Sequence, residues 1–233
     1  MMQGIKATLK IWWKNKMDKL VISLEHIKKT YGDKVVLEDI NLKITNDSFI
    51  SILGKSGAGK STLMNIVGLI EHFDGGTYRF NDKVLKRKKD YAMLRLSEIG
   101  FVFQSYNLIP TLTCRENIEL PMIYSSASIS QDVYMELAEE LGISDLLDKP
   151  INILSGGEKQ RIAIVRALVM NPKLIIADEP TGNLDDENKF LVFDMLKREY
   201  RRGRAVLIIT HDSSLAKKTS QTYILREGRL YEC

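Results

Sequence analysis

The chain has 233 residues, of which 44% are hydrophobic and 27% charged, and its formal net charge is +4. This length suits one sizeable α/β domain with a real core and is too short for two large ones. The small basic excess does not indicate nucleic acid as a partner, because basic and acidic residues are interleaved. The two cysteines, Cys114 and Cys233, lack the spacing of metal ligands, which favours free thiols in a reducing cytosol.

Residues 1–20 differ in character from the rest of the sequence. Their apolar residues fall near helical spacing, with lysines between them. One interpretation is a basic amphipathic helix lying on an anionic membrane surface. The other is a frayed leader, with Met17 as the true start. No apolar run in the sequence approaches the ~20 residues that a membrane-spanning helix needs.

Strands and helices alternate from residue 21 onward. The patterns predict strands at 21–31, 40–44, 49–53, 77–80, 99–103, 173–178 and 205–210, and helices at 63–70, 133–141 and 158–170. The last two strands are continuous apolar runs, which are typical of a parallel sheet buried on both faces. The alternation of elements indicates an α/β fold.

A glycine-rich loop follows the third predicted strand and precedes a predicted helix. Its pattern is Gly54-x-x-x-x-Gly59-Lys60-Ser61. Glycines let successive N–H groups point at phosphate oxygens, Lys60 adds charge, and Ser61 offers Mg²⁺ a hydroxyl. The alternative is an ordinary glycine-rich turn, but the strand and helix around it favour nucleotide binding. The predicted nucleotide-binding residues of this loop are Gly54, Lys55, Ser56, Gly57, Ala58, Gly59, Lys60, Ser61 and Thr62.

Two acidic residues end the apolar strand at 173–178. Asp178 and Glu179 would lie at the carboxyl end of the sheet, where α/β proteins bind their ligands. Asp178 suits the Mg²⁺ shell, and Glu179 suits orienting and deprotonating an attacking water. The alternative is a strand that ends in a solvated acidic turn.

The segment "LSGGEKQR" begins the helix at 158–170. Ser155 and Glu158 form a capping-box pattern, which needs no ligand. Gly156 and Gly157, however, cost a helix ~1 kcal/mol each relative to alanine. A serine and two glycines at a helix N-terminus therefore predict a second phosphate-binding surface.

Together, "GKSGAGKST", "LSGGEKQR" and "LIIADEP" resemble the nucleotide-binding subunit of ATP-binding-cassette (ABC) transporters, over residues 21–233. The resemblance implies a P-loop NTPase (RecA-like) core with an antiparallel β-subdomain. It also implies an inserted helical subdomain at about 104–157, where a membrane permease docks. It further implies hydrolysis of ATP with Mg²⁺ between two copies of the chain, or between this chain and a homologous subunit. Residues Ser155, Gly156 and Gly157 of one copy would close on the nucleotide of the other.

The same resemblance assigns roles to further residues. Gln104 would contact Mg²⁺ and water, His211 the γ-phosphate, and Tyr31 the adenine. The predicted catalytic residues are thus Glu179, His211 and Gln104, and the predicted metal ligands are Ser61, Gln104 and Asp178. Residues 182–185 would cross the dimer interface. As alternatives, Gln104 would be a polar strand end, His211 a helix cap, and Tyr31 a turn aromatic.

Residues 177–185 and 116–124 resemble the macrolide-export, lipoprotein-release and antimicrobial-peptide subgroup. This implies a peripheral ATPase at the cytoplasmic face of the cell membrane that energises export through an integral permease. The alternative is the ATPase of a mechanotransmission or sensing complex that controls a cell-envelope process without moving cargo. A soluble cassette acting on DNA or ribosomes is disfavoured, because the sequence has one cassette and no heptad run.

Overall fold

A computed structural model describes residues 20–85, 88–125, 131–182 and 184–233. The predicted N-terminal extension, apart from Leu20, therefore lies outside the described residues, and so does Asn183 of the predicted interface segment. Both interpretations of the extension stay predictions.

In the described residues, ten strands form one mixed sheet. Their bounds are β1 Val21–Tyr31, β2 Lys34–Thr45, β3 Phe49–Leu53, β4 Gly75–Phe80, β5 Lys83–Val84, β6 Ile99–Phe103, β7 Leu174–Asp178, β8 Ala205–Ile209, β9 Gln221–Arg226 and β10 Arg229–Glu232. The spatial order is β5-β4-β1-β2-β10-β9-β3-β8-β7-β6. All seven predicted strands are present, whereas the sequence patterns gave no prediction for β5, β9 and β10.

The sheet has a parallel and an antiparallel half. Strands β9, β3, β8, β7 and β6 pair in parallel. Strands β2, β1, β4 and β5 pair in antiparallel fashion. The halves meet where Arg229 of β10 pairs with Asp39 of β2, and the amides of Glu38 and Asp39 donate to the carbonyl of Gly228. The architecture confirms the predicted α/β fold with an antiparallel β part.

Seven α-helices lie in the described residues. Their bounds are α1 Lys60–Val67, α2 Lys88–Glu98, α3 Cys114–Ile123, α4 Gln131–Glu140, α5 Gly156–Leu168, α6 Asp186–Arg201 and α7 Ser213–Ala216. The first predicted helix begins three residues earlier than expected, so Lys60 and Ser61 belong to its first turn. Helices α3, α4 and α5 come between β6 and β7. Of these, α3 and α4 lie within 104–157, the range predicted for the helical subdomain, and α5 begins at its end.

Apolar side chains cover both faces of the parallel half. Along β8, Val206 and Ile208 join one hydrophobic cluster, while Leu207 and Ile209 join the other. The first cluster packs against α5 and α6, and the second against α1. All five residues of β8 are buried, as its continuous apolar sequence predicts. This two-sided core fixes the carboxyl ends of the strands, where the predicted site residues lie.

Candidate functional site

The glycine loop connects β3 to α1 and depends on its glycines. Gly57 and Gly59 have φ angles of +77° and +97°, which side chains other than glycine rarely adopt. A Cβ at Gly54 would lie 2.9 Å from the carbonyl oxygen of Leu225 in β9. The loop conformation is therefore incompatible with larger residues at these three positions.

Lys60 folds back over this loop. Its Nζ donates to the carbonyl oxygens of Gly54, at 2.7 Å, and Lys55, at 3.0 Å. No described side chain caps the N-terminus of α1, whose N-cap is Gly59. The first N–H groups of α1 and the ammonium of Lys60 thus converge on the loop, which is a favourable environment for an anion.

Asp178 and Glu179 lie at the carboxyl end of β7, as predicted. Asp178 is the last residue of β7 and pairs with Phe103 of β6 and Ile209 of β8. Burial and the neighbouring charge of Glu179 raise the pKa of the Asp178 carboxyl, whereas the charge of Lys60 lowers it. The fold therefore brings the phosphate loop and this carboxylate together, although they are far apart in the sequence.

Glu179 is held by three contacts. Its φ is +44°, a left-handed conformation, and its amide donates to the carbonyl of Ile209 at 2.8 Å. One carboxylate oxygen accepts from Thr210 Oγ1 at 3.1 Å, and the other lies 2.8 Å from His211 Nδ1. Glu179 and His211, both predicted from the sequence, are thus direct partners. Thr210 was not predicted as a site residue, although its hydroxyl directly before His211 in the sequence could have indicated a role.

Gln104 follows β6 and lies against the segment after Glu179. A Cβ built on Gly182 would be 2.9 Å from Gln104 Nε2. The loop continues through Tyr106 and Asn107, whose φ angles are +61° and +48°. Arg166 donates to the carbonyl oxygens of these two residues, at 2.7 Å and 2.5 Å. Sequence reasoning missed Arg166, which lies on α5 and holds the loop in place.

Tyr31 ends β1 beside the phosphate loop. Its hydroxyl donates to Glu71, and the Lys29 ammonium lies 5.0 Å from the centre of its ring. Partial burial and the Glu71 carboxylate raise the pKa of the Tyr31 hydroxyl, and a hydrogen bond with Thr62 of α1 lowers it. The residue is about half exposed, at 48%. Tyr31 thus presents an accessible aromatic surface next to α1.

Ser155, Gly156 and Gly157, which we call the SGG tip, begin α5. The capping box is present: Ser155 Oγ accepts from the amide of Glu158 at 3.3 Å, and the backbone amide of Ser155 donates to the Glu158 carboxylate at 2.7 Å. Gly157 also has a packing reason, because a Cβ there would lie 2.3 Å from Asn188 Oδ1. Phosphate binding by both glycines stays a prediction, and the contact with Asn188 adds a packing reason for Gly157.

A family model described as "ABC transporter" matches residues 37–182. The chain belongs to the ABC transporter family.

Several relatives are similar to this ABC protein in sequence. The uncharacterized ABC transporter ATP-binding protein YvrO of Bacillus subtilis is 40% identical over 219 residues, which cover 90% of this chain and 95% of YvrO. The macrolide export ATP-binding/permease protein MacB of Nitrosomonas europaea is 41% identical over 219 residues. That match covers 90% of this chain but only 33% of MacB.

Solved structures of ABC cassettes superpose closely. The cassette MJ0796, in a dimeric post-hydrolysis state bound to ADP and Pi, gives a TM-score of 0.82 at 34% identity, covering 91% of this chain and 97% of MJ0796. The structure of cbiO1 from Clostridium perfringens gives a TM-score of 0.81 at 29% identity, and the match covers 92% of this chain and 88% of cbiO1. These matches confirm the predicted P-loop NTPase fold.

The ABC family assignment settles the activity in outline. The chain binds ATP and hydrolyses it, as the sequence predicted. Within the described ranges, none of the helices is both long and apolar enough to cross a membrane.

Proposed function

We propose that this chain is the ATPase subunit of an ABC export system and drives an integral permease from the cytoplasmic face of the membrane. The observation that carries the proposal is the convergence of Lys60, Asp178, Glu179 and His211 at the carboxyl edge of one parallel sheet. The export direction is supported by the MacB relatives, which are named as macrolide export proteins. The cargo class would be a peptide, a drug or a lipoprotein-type substrate.

The residues near the loop suit Mg²⁺ held together with nucleotide phosphates. Among the described residues there is no group of three or more His, Cys, Asp or Glu placed to hold a metal by itself. Ser61, Gln104 and Asp178 would instead offer a hydroxyl, an amide oxygen and a carboxylate, which are hard donors of the kind Mg²⁺ prefers. Mg²⁺ when bound neutralises phosphate charge. Lys60 and the first N–H groups of α1 would bind the β- and γ-phosphates.

The chemical step would depend on Glu179 as the base that orients and deprotonates water. Thr210 and His211 hold its two carboxylate oxygens, so the carboxylate has a defined direction. The exposed ring of His211 would then reach the γ-phosphate. Tyr31 would stack on the adenine through its exposed face.

A second copy of the chain would complete the site. The hydrogen bonds recorded for Ser155 stay within α5 and its cap, and in the described residues none joins the SGG tip to the phosphate loop. The tip would therefore serve the γ-phosphate bound by a partner copy. Removal of that phosphate by hydrolysis would take away shared contacts and let the dimer open.

An open groove of about 760 Å³ offers a docking place for the permease. It lies between α2, β6, α3 and α5, and residues that line it include Met93, Phe101, Tyr124 and Arg166. The side chain of Tyr124 is 75% exposed. Since Arg166 also holds the loop after Gln104, a permease segment in the groove would lie beside the predicted site. We propose that the helical subdomain, at about 104–157, forms one wall of it.

The substitution Glu179→Gln tests the proposed site. Glutamine keeps the size of the side chain and its bond from Thr210, so ATP affinity should stay within about twofold while turnover falls by ~10²–10⁴. The trapped nucleotide should favour a dimer, which is measured by size-exclusion chromatography and light scattering with Mg-ATP. Glu187→Gln, at an exposed position on α6, is the matched control. A Glu179→Gln protein that keeps full ATPase activity, or stays monomeric, would refute the assignment.

A further inference from the structure

A close contact within the chain joins the SGG tip to α6. Gly157 is buried, and a Cβ at this position would lie 2.3 Å from Oδ1 and 2.7 Å from Cγ of Asn188. Real atoms do not approach so closely, so the Asn188 amide occupies the space that a side chain at residue 157 would need. The first turn of α5 and the first turn of α6 therefore fit together only through this glycine.

Asn188 is itself fixed in orientation. Its backbone amide donates to Asp185 Oδ1 at 2.8 Å, and its side-chain nitrogen donates to the two carboxylate oxygens of Asp185 at 3.0 and 2.9 Å. Its Oδ1 accepts from Arg161 of α5 at 3.4 Å. Since Asp185 is the N-cap of α6, the Asn188 amide is held by a helix start rather than by a freely moving loop.

A second bond joins α5 to the start of the same segment. Gln160 is 1% exposed, and its Nε2 donates to the carbonyl oxygen of Pro180 at 3.0 Å. Pro180 directly follows Glu179. The SGG tip and the next turn of α5 thus contact both ends of the segment between Glu179 and Asn188.

We propose that Asn188 is a positioning residue for ATP hydrolysis, because it fixes the SGG tip relative to the segment that follows Glu179. The position of the SGG tip that one copy presents to its partner then depends on the conformation of the segment after Glu179 in that same copy. The inference rests on the proposed function, since it requires the tip to close on nucleotide held by a second copy. The proposal also explains why residue 157 is glycine: the side chain of Asn188 occupies the space that a larger residue would need.

A double-mutant cycle in the full chain tests this assignment. Gly157→Ala, Asn188→Ala and their combination are made in the Glu179→Gln parent, and ATP-driven dimerisation is measured by sedimentation velocity. Gly157→Ala should weaken the dimer at least about tenfold, because the added methyl displaces the tip. Asn188→Ala should weaken it by about three- to tenfold, because the tip loses its support.

The decisive comparison is the effect of Gly157→Ala in the Asn188→Ala background. With the Asn188 amide removed, the methyl has room, so the combined variant should dimerise as well as Asn188→Ala alone. If Gly157→Ala weakens the dimer by the same factor in both backgrounds, the bound phosphate requires the glycine and the proposal is overturned. An Asn188→Ala protein that dimerises like the parent also overturns it.

Two controls separate this inference from the proposed function. Gly75→Ala places its Cβ 3.6 Å from Lys28, an ordinary contact, and Glu187→Ala changes an exposed neighbour of Asn188. Both should dimerise like the parent. A parent that stays monomeric contradicts the proposed function instead. Denaturant unfolding then completes the test. Gly157→Ala should lower the free energy of unfolding when Asn188 is present and should have no effect when Asn188 is already replaced by alanine. If Gly157→Ala still lowers the free energy of unfolding in the Asn188→Ala background, the proposal is overturned.

Discussion

Replacing Arg166 by lysine should loosen the loop that carries Gln104. The Arg166 guanidinium donates to two carbonyl oxygens, those of Tyr106 and Asn107. Lysine offers one compact ammonium in place of a planar fork and can serve one of these carbonyls at its best geometry. Burial already lowers the pKa of Arg166.

The size of the effect follows from the bond that is lost. A hydrogen bond to a charged group contributes ~1.5–3 kcal/mol, and the carbonyl of Asn107 is the more exposed of the two. Water replaces part of that bond, so we take the lower value, which corresponds to about tenfold in the opening equilibrium of the loop. Arg166→Met removes both hydrogen bonds and should raise the opening equilibrium constant of the loop by up to about a hundredfold.

Hydrogen exchange with mass spectrometry measures this opening directly. The amide of Tyr106 donates to the carbonyl of Phe103 at 3.0 Å, so its exchange reports the loop. Exchange should accelerate about tenfold in Arg166→Lys, and ATPase turnover at saturating Mg-ATP should fall by no more than that factor. Arg79→Lys, on the β1–β4 surface, is the matched control. If Arg166→Lys leaves both exchange and turnover at the level of the parent, our account of this loop is wrong.

Two further predictions concern nucleotide affinity and pH. Tyr31→Ala should weaken ATP binding by about tenfold in calorimetry, because a stacked aromatic contributes ~1–3 kcal/mol per base, whereas Tyr31→Phe keeps the ring and should bind within about twofold. Equal losses in both variants would show that the hydroxyl, not the ring, matters. Hydrogen bonds from Ser214 and Leu215 hold the pKa of Asp212 below its usual value of ~4. The stabilisation by this cap is therefore present above pH ~4 and lost as pH falls through the depressed pKa. Asp212→Ala should lower the free energy of unfolding by ~1 kcal/mol at pH 7 and by progressively less as the pH falls below ~4; an unchanged difference would contradict this.

The central strands and the site could be predicted because their signals are local. Continuous apolar runs gave β7 and β8, and a parallel sheet then places the residues that follow each strand along one edge. The pairing of Glu179 with His211 agrees with that placement. The glycine loop carried its own strand and helix context, so its position followed from the sequence alone.

The rest depended on distant partners or on weaker patterns. Arg166 meets Tyr106 and Asn107 across about sixty residues, and nothing in the sequence near Arg166 indicates this contact. Strands β9 and β10 did have a signal, because Glu227 and Gly228 form a two-residue hairpin loop with φ angles of +51° and +71°. Glycine at the second position suits such a turn, but the short, largely polar sequences on either side lack the apolar pattern that would predict strands.

The junction between the two halves of the sheet has a consequence for biosynthesis. Asp39 of β2 finds its neighbour only when Arg229 has been made, at a distance of 229 − 39 = 190 positions. At about 5–20 residues per second, the edge of β2 facing β10 waits roughly 10–40 s on the ribosome without its partner strand. An open edge invites pairing with other chains. The nascent protein is therefore most vulnerable to aggregation in the interval before its final hairpin emerges.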